Sequence, residues 1–328
     1  MINLGLIGMG DVGKIHFYNS LHLENARLVA VADISRRARR LAKSYGVKEA
    51  YDDYQKLLEN RNIDCVIIAL PNFLHAECAT MAAEFGKHML IEKPLARDIE
   101  EGKQIVAKAR KSGVQTMVGY PLRFSQLARL KEEISSGRLG DITSALATHI
   151  SYGPFYHRAT SSAKGTSVPI PVPSWRFQVD LMGGGALIDL GSHMINLLRW
   201  FFGDGISSAK AVLGHRFNMP FEDQAYCFLR FKQGTVAILN VSWCSVKPVT
   251  RVELFGIADT VSMAMEHKHK FSARNILPLR KSVAESSPWY KELDYFVDCV
   301  VDDLEIPLSA EDGLKDLEII SLAYRNQS

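Results

Sequence analysis

Short apolar segments alternate with segments of helical composition through the first 120 residues of the chain. Strands are predicted at 2–7, 27–32, 64–70, 88–91 and 115–118, with helices between them at 11–22, 35–45, 74–85 and 98–111. The segment 64–70 is apolar almost throughout, which is typical of a central parallel strand covered on both faces. This alternation predicts a parallel sheet with helices on both sides, a doubly wound α/β domain over residues 1–120.

Residues 121–328 follow a different pattern and are predicted to form a second, α+β domain. Helices are predicted at 124–136, 186–202, 289–303 and 310–324, and strands at 142–151, 207–217, 224–231, 235–243 and 249–256. The close succession of strands predicts a mainly antiparallel sheet with one open face. An open apolar face favours self-association, so we expect a homodimer or homotetramer. The proline-rich segment 152–174 is predicted to be a long loop, either functional or disordered.

Charge and cysteine usage exclude several classes of protein. The formal net charge of +3 is small for 328 residues, which argues against binding to nucleic acid or a membrane surface through bulk charge. The five cysteines have no ligand-like or disulfide-like spacing, so no metal site is expected and a reducing compartment is favoured. We find no secretory leader and no apolar run near the roughly 18 residues of a membrane span. A cytoplasmic location is therefore expected.

A glycine motif lies where the first predicted strand meets the first predicted helix. It reads Gly8-Met9-Gly10-Asp11-Val12-Gly13, and an acidic residue, Asp33, follows the second strand 20 residues beyond Gly13. This context is typical of a dinucleotide site, in which the helix N-terminus stabilises the pyrophosphate and the acid accepts ribose hydroxyls. Asp33 would repel a 2′-phosphate, so NAD is favoured; Arg36 and Arg37 leave NADP possible.

A second glycine motif, 183–185, precedes an acid and an imidazole. Asp189 and His193 are four positions apart, a spacing that places two side chains on one face of a helix. A carboxylate beside an imidazole can hold the imidazole in one orientation and tune it as an acid or base near neutral pH. The glycines allow another molecule to approach the backbone closely. We therefore expect an acid–base site in this segment.

Taken together, these motifs resemble the glucose-fructose oxidoreductase, inositol dehydrogenase and MocA (Gfo/Idh/MocA) family over nearly the whole chain. Further residues carry the resemblance: Pro71-Asn72 with His75, Glu92-Lys93-Pro94, Trp175-Arg176, and Glu222-Asp223. The resemblance implies a Rossmann domain that binds NAD(P), followed by a domain for substrate binding and oligomerisation. It also implies an oxidoreductase that transfers a hydride between nicotinamide and the CH–OH group of a sugar, a cyclic polyol or a sugar derivative.

The resemblance further implies roles for individual residues. His193 would accept the hydroxyl proton, with Asp189 orienting it or bonding a neighbouring substrate hydroxyl, and Lys93 would stabilise the alkoxide or join the proton relay. The Lys93–Pro94 peptide bond is often cis in this family. Cofactor contacts are expected from Gly8, Met9, Gly10, Asp11, Val12, Gly13, Asp33, Pro71, Asn72, His75, Glu92, Lys93, Trp175 and Arg176. Substrate contacts are expected from Lys93, Arg123, His149, Asp189 and His193.

Several alternatives remain open at this point. Arg123 could instead form a salt bridge, and Trp175 with Arg176 could be a pair at the edge of the core. His149 and His157 are weighed equally as substrate contacts and as structural residues. Two other classes of function are an NAD-dependent glycosidase that works by transient oxidation and a non-catalytic nucleotide-sensing regulator. The presence of both Lys93 and His193 argues against the regulator.

Overall fold

The computed structural model describes residues 1–153, 174–217, 219–245, 247–265 and 281–327. They form two compact units. The first contains Met1–Ala96, Glu100–Phe124 and the described residues of Lys268–Leu314. The second contains Arg97–Ile99 together with the described residues of Ser125–His267 and Lys315–Ser328. The domain boundary expected at residue 120 stays a prediction, and the proline-rich segment, with His157, lies outside the described residues.

The first unit is built on a six-stranded parallel sheet with strand order β3-β2-β1-β4-β5-β6. The strands are β1 Ile2–Ile7, β2 Ala26–Ala32, β3 Glu49–Tyr51, β4 Cys65–Ile68, β5 His88–Glu92 and β6 Thr116–Gly119. The helices of the unit's first part are α1 Asp11–Ser20, α2 Arg36–Ser44, α3 Tyr54–Leu58, α4 His75–Glu84 and α5 Ile99–Ser112. β4 is buried at every residue, as expected of a central strand. The predicted doubly wound α/β sheet is confirmed.

The second unit contains a six-stranded mixed sheet with strand order β12-β11-β7-β10-β9-β8. Its strands are β7 Ile142–Ile150, β8 Ile206–Gly214, β9 Gln224–Phe231, β10 Val236–Ser242, β11 Val249–Gly256 and β12 Thr260–Met265. All neighbours are antiparallel except β7 and β10, which are parallel. The remaining α-helices of the described residues are α6 Arg129–Ser135, α7 Val179–Met182, α8 Ser192–Phe202, α9 Lys281–Ala284, α10 Pro288–Val301 and α11 Ala310–Arg325. The predicted mainly antiparallel sheet is therefore confirmed.

Alternate residues of the second sheet divide it into a buried and an open face. In β9, Ala225, Cys227 and Leu229 are fully buried, whereas Tyr226 and Phe228 are exposed. The strand register aligns Tyr226 with Val212 of β8, and Phe228 with Ile238 of β10. The open face therefore carries a row of apolar side chains across neighbouring strands.

Some elements differ from the sequence-based prediction for physical reasons. Strands β3 and β12 were not predicted from the sequence. β3 has only three residues, too few to show a period, and β12 is an edge strand in which exposed residues alternate with half-buried ones. The helix expected at 186–202 begins as one π-helical turn, Leu187–Gly191, before α8. No helix among the described residues is long and apolar enough to cross a membrane.

Candidate active site

The turn between β1 and α1 is built from glycines that have no room for a side chain. Gly8 has φ +89°, and a Cβ atom there would lie 2.4 Å from the Ala69 carbonyl oxygen. A Cβ at Gly13 would lie 2.1 Å from the carbonyl oxygen of Gly8. The first glycine thus allows the tight turn, and the third lets the helix approach the turn closely.

Gly10 differs from these two glycines because its free space faces outward. A Cβ placed there would meet nothing within 4 Å, and the residue is exposed. Gly10 is also the N-cap of α1 and provides no side-chain cap to the helix. The N-terminal N–H groups of α1, beginning at Asp11 and Val12, can therefore receive an anionic group.

Asp33 lies at the end of β2 and holds the glycine turn from the side. Its Oδ2 accepts a hydrogen bond from the Met9 N–H at 2.6 Å, and its Oδ1 accepts one from the Ser35 N–H at 2.6 Å. Each carboxylate oxygen has further lone pairs for ribose hydroxyls. The open cradle at Gly10 and this acid together fit a dinucleotide. Arg36 and Arg37 are exposed nearby in sequence, at the start of α2.

His75, expected to contact the cofactor, lies fully buried and joins two loops of the first unit. Its Nδ1 is 2.9 Å from the Pro94 carbonyl oxygen, and its Nε2 is 2.9 Å from the Leu70 carbonyl oxygen. Burial lowers the pKa of the imidazole, while these carbonyls and Glu92 act in the opposite direction. His75 thus ties the loop that carries Pro71 and Asn72, after β4, to the loop after β5.

Glu92 and Lys93 end β5 and have different surroundings. Glu92 is buried, and its Oε1 is 2.6 Å from Nε2 of His16 in α1. Its Oε2 accepts a 3.3 Å hydrogen bond from the backbone N–H of Lys93. Lys93 is half-buried, and its peptide bond to Pro94 is cis, as the resemblance implied. The structure places the Glu92 carboxylate inside the unit, supporting the backbone from which Lys93 projects.

In the second unit, Asp189 and His193 lie beside residues from the sheet. Asp189 is in the π-helical turn, and its Oδ2 accepts a 3.1 Å hydrogen bond from Nε1 of the fully buried Trp243. His193 is the second residue of α8, and its ring centroid is 5.5 Å from that of His149 in β7. The structure thus brings two expected imidazoles together, and it fixes the carboxylate of a third expected residue, Asp189, through Trp243.

The remaining expected residues have identifiable neighbours. The Arg176 guanidinium lies 5.2 Å from the centre of the Trp175 ring, a cation–π pair. Nη2 of Arg123 is 3.3 Å from Oδ2 of Asp312, so the salt bridge that was the alternative for Arg123 is present. Their roles toward cofactor and substrate stay predictions.

The sequence did not reveal several supporting residues, among them Trp243 and Tyr324 of the second unit. Trp243 is 54 residues from Asp189, and Tyr324 is 102 residues from Glu222, to which its hydroxyl donates. Neither belongs to a motif with local spacing, so only the fold reveals these contacts. The arrangement can bind a dinucleotide in one unit and move a proton in the other.

Comparisons with known proteins agree with this chemistry. A family model described as an oxidoreductase family with an NAD-binding Rossmann fold matches residues 2–120. A second model, the GFO/IDH/MocA C-terminal domain, matches residues 127–262. Together the two models cover most of the chain.

Individual relatives and structures were also found. Levoglucosan dehydrogenase of Pseudarthrobacter phenanthrenivorans is 33% identical over 65% of this chain, a match that spans 54% of that protein. The scyllo-inositol 2-dehydrogenase (NAD(+)) of Bacillus subtilis is 27% identical over 95% of this chain and 92% of its own length. The crystal structure of GenD2 from gentamicin A biosynthesis, in complex with NAD, shares the fold, with a TM-score of 0.84, 23% identity and coverage of 99% of this chain and 93% of GenD2. The chain belongs to the Gfo/Idh/MocA family of NAD-binding oxidoreductases.

Proposed function

We propose that this protein is an NAD(P)-dependent dehydrogenase that transfers a hydride between nicotinamide and the CH–OH group of a sugar, a cyclic polyol or a sugar derivative. The observation that carries the proposal is that one chain holds an open nucleotide cradle at Gly10 together with an Asp189 carboxylate fixed by Trp243 and a His193 ring beside His149. The names of two relatives support the substrate class, since one acts on levoglucosan and the other on scyllo-inositol.

The chain's residues have distinct tasks in this reaction. The glycine turn and Asp33 would hold NAD, which would supply the nicotinamide that exchanges a hydride with the carbinol carbon. His193 accepts the hydroxyl proton, a contribution of about 10²- to 10⁴-fold for a positioned base. Trp243 holds the Asp189 carboxylate in place, so that it can orient His193 or bond a second substrate hydroxyl. The ammonium of Lys93 stabilises the negative charge that develops on the substrate oxygen.

A panel of sugars, cyclic polyols and their derivatives, tested with NAD and NADP by absorbance of the reduced nicotinamide, tests this proposal. We expect reduction with at least one member, with NAD preferred, and loss of that activity in Lys93→Met. Exposed Lys56, in α3 of the same unit, provides the matched control Lys56→Met, which should retain full rate. Release of a glycoside leaving group without net reduction would favour the glycosidase instead. Binding of NAD without turnover of any member would favour the regulator, and either result would contradict the proposal.

The proposal includes a homodimer or homotetramer in the cytoplasm, formed through the open face of the second sheet. Leu146, Val212, Tyr226 and Phe228 are all exposed on neighbouring strands of this face. A contiguous apolar patch of this kind favours a protein–protein interface, and a second copy of the chain presents the same patch.

Light scattering coupled to size exclusion tests the association. We expect more than one copy per particle for the wild type at micromolar concentration and dissociation in Phe228→Glu, because the substitution places a charge in the patch. Leu304→Glu is the control, since Leu304 is 52% exposed and lies outside the sheet. A monomeric wild type, or equal effects of the two substitutions, would contradict the interface.

A further inference from the structure

The segment that carries Asp189 and His193 begins beside two side chains from distant parts of the second unit. The Ala186 N–H donates to the Glu222 carbonyl oxygen at 3.1 Å. The Leu187 N–H donates to Oε1 of Glu222 at 2.9 Å, and the Tyr324 hydroxyl donates to the same oxygen at 2.7 Å. Glu222 thus holds two consecutive N–H groups of the segment, while Tyr324 holds Glu222.

The glycines before the segment make this close approach possible. A Cβ at Gly185 would lie 1.9 Å from the Glu222 carbonyl oxygen. Gly184 has φ +157°, and a Cβ there would lie 2.6 Å from the Tyr324 hydroxyl oxygen. Both positions therefore require glycine because of Glu222 and Tyr324, a reason that involves no ligand.

Glu222 satisfies a general requirement of a helix start. The first N–H groups of a helix have no partner inside the helix, and a negative charge near them is favourable. Here the partner of the Leu187 N–H is the side chain of Glu222, which lies 35 positions later in the chain and is not an adjacent N-cap residue. Burial raises the pKa of the Glu222 carboxyl, whereas the Leu187 N–H and Tyr324 O–H groups favour its charged form.

We propose that Glu222 and Tyr324 are positioning residues for the dehydrogenase reaction, forming a clamp that fixes the start of the segment and so places Asp189 and His193. The inference rests on the proposed function for its effect on rate. Asp189 is two residues beyond the clamped Leu187, and His193 follows four residues later. A displacement of about 1 Å at a reacting group can cost about 100-fold in rate, so loosening the clamp slows the chemical step.

Three substitutions test the clamp by kinetics. In Glu222→Ala we expect kcat to fall about 10- to 100-fold, with the Kd for NAD within two-fold of wild type. Because Leu187 and Tyr324 both donate to the same oxygen, Glu222→Gln retains an acceptor for both and should keep most of the kcat. Tyr324→Phe removes one hydroxyl and should have an intermediate effect.

Asn196→Ala is the control for a general loss of stability. The Asn196 side chain donates a buried 2.7 Å hydrogen bond to Asp316 in the same unit. That bond involves neither Glu222 nor Tyr324. We expect Asn196→Ala to lower the unfolding temperature while kcat stays near that of wild type. If Glu222→Ala lowers kcat no more than Asn196→Ala does, the clamp has no positioning role and the proposal is overturned.

Hydrogen–deuterium exchange of the peptide that contains Ala186 and Leu187 provides a readout that needs no substrate. We expect faster exchange of this peptide in Glu222→Ala and Tyr324→Phe, and near wild-type protection in Glu222→Gln and Asn196→Ala. Unchanged protection in Glu222→Ala would overturn the clamp, even with a good substrate in hand. Failure of every substrate in the panel would instead overturn the proposed function and leave this test of the clamp intact.

Discussion

The glycine turn of the first unit and the Asp189–His193 segment of the second unit are both candidate sites, but they are held in different ways. The turn is formed by residues 8–13, and its main side-chain support, Asp33, is 24 residues from its partner Met9. The second segment depends on Trp243, Glu222 and Tyr324, through contacts that span 35 to 102 residues. The candidate phosphate site thus relies on backbone within one short stretch, whereas the segment that carries the proposed proton acceptor is contacted by side chains distant in sequence.

The largest effect that distinguishes the glycine turn from the Asp189–His193 segment is expected from substitutions at two glycines of the turn. In Gly10→Ala the new methyl meets no protein atom, so the free energy of unfolding should change by less than about 1 kcal/mol. The methyl does lie where a phosphate approaches the backbone, so NAD affinity should fall on the order of 100-fold, about 2.7 kcal/mol. Calorimetric titration with NAD and thermal unfolding measure the two quantities.

Gly13→Ala is the matched partner of that variant. Its methyl overlaps the Gly8 carbonyl, so we expect a loss of about 1–3 kcal/mol in unfolding free energy. If Gly10→Ala lowered the free energy of unfolding as much as Gly13→Ala does, the assignment of Gly10 as an outward-facing part of the cradle would be wrong.

A smaller effect is expected at Asp33, whose side chain bonds the Met9 N–H of the glycine turn. Asp33→Ser removes the charge that repels a 2′-phosphate, so the ratio of kcat/KM for NAD to that for NADP should fall about 10- to 100-fold. Exposed Asp52 provides the control Asp52→Ser, which should leave the ratio unchanged. A ratio unaffected by Asp33→Ser would mean that Asp33 only holds the Met9 and Ser35 N–H groups.

The smallest effect concerns two buried acids, one in each unit. Glu292 of α10 is fully buried, and neither carboxyl oxygen has a side-chain hydrogen-bond partner among the described residues. Burial, aided by the charge of Glu92, raises its pKa well above its ordinary value. The folded protein therefore retains a proton that the unfolded chain loses above about pH 4.5. Because of this, the contribution of Glu292 to the free energy of unfolding decreases as the pH rises above that value.

Glu292→Gln removes that pH-dependent loss. We expect the unfolding temperature to rise by about 2–4 °C at pH 8 and by less at pH 5, measured by thermal unfolding. Glu222→Gln should give a smaller rise, since Leu187 and Tyr324 already stabilise the Glu222 carboxylate. Equal gains at both pH values would contradict the assignment of a protonated Glu292.

The difference between the glycine turn and the Asp189–His193 segment also explains which parts of the fold and of the candidate site could be predicted from the sequence. The strands of the first sheet, the glycine turn and Asp33 follow from local periodicity and from a motif with fixed spacing. Asp189 and His193 were singled out because an acid and an imidazole follow a run of glycines, whereas His149 was weighed equally as a substrate contact and as a structural residue; the roles of all three stay predictions. For the second sheet, the sequence predicted four closely spaced strands and the preceding β7, but not the parallel pairing of β7 with β10.

Other features could not be predicted because no local pattern encodes them. The first N–H group of the π-helical turn Leu187–Gly191 is bonded by the distant Glu222, and Trp243 contacts Asp189 only because the fold brings them together. The contact of His75 with the cofactor stays a prediction, whereas its bonds to the Leu70 and Pro94 carbonyl oxygens depend on loops that no local pattern encodes. The grouping of the described residues 281–314 with the first unit is likewise a property of the fold.

In the proposed reaction the first unit binds the cofactor and His193 moves the proton. The most direct test is His193→Ala, with the Kd for NAD measured by titration and nicotinamide reduction followed in a single turnover with the substrate found in the panel. We predict a fall in rate of about 10²- to 10⁴-fold, a Kd within two-fold of wild type, and no change in the control variant His22→Ala. An unchanged rate in His193→Ala, or a parallel loss of NAD binding, would contradict the account.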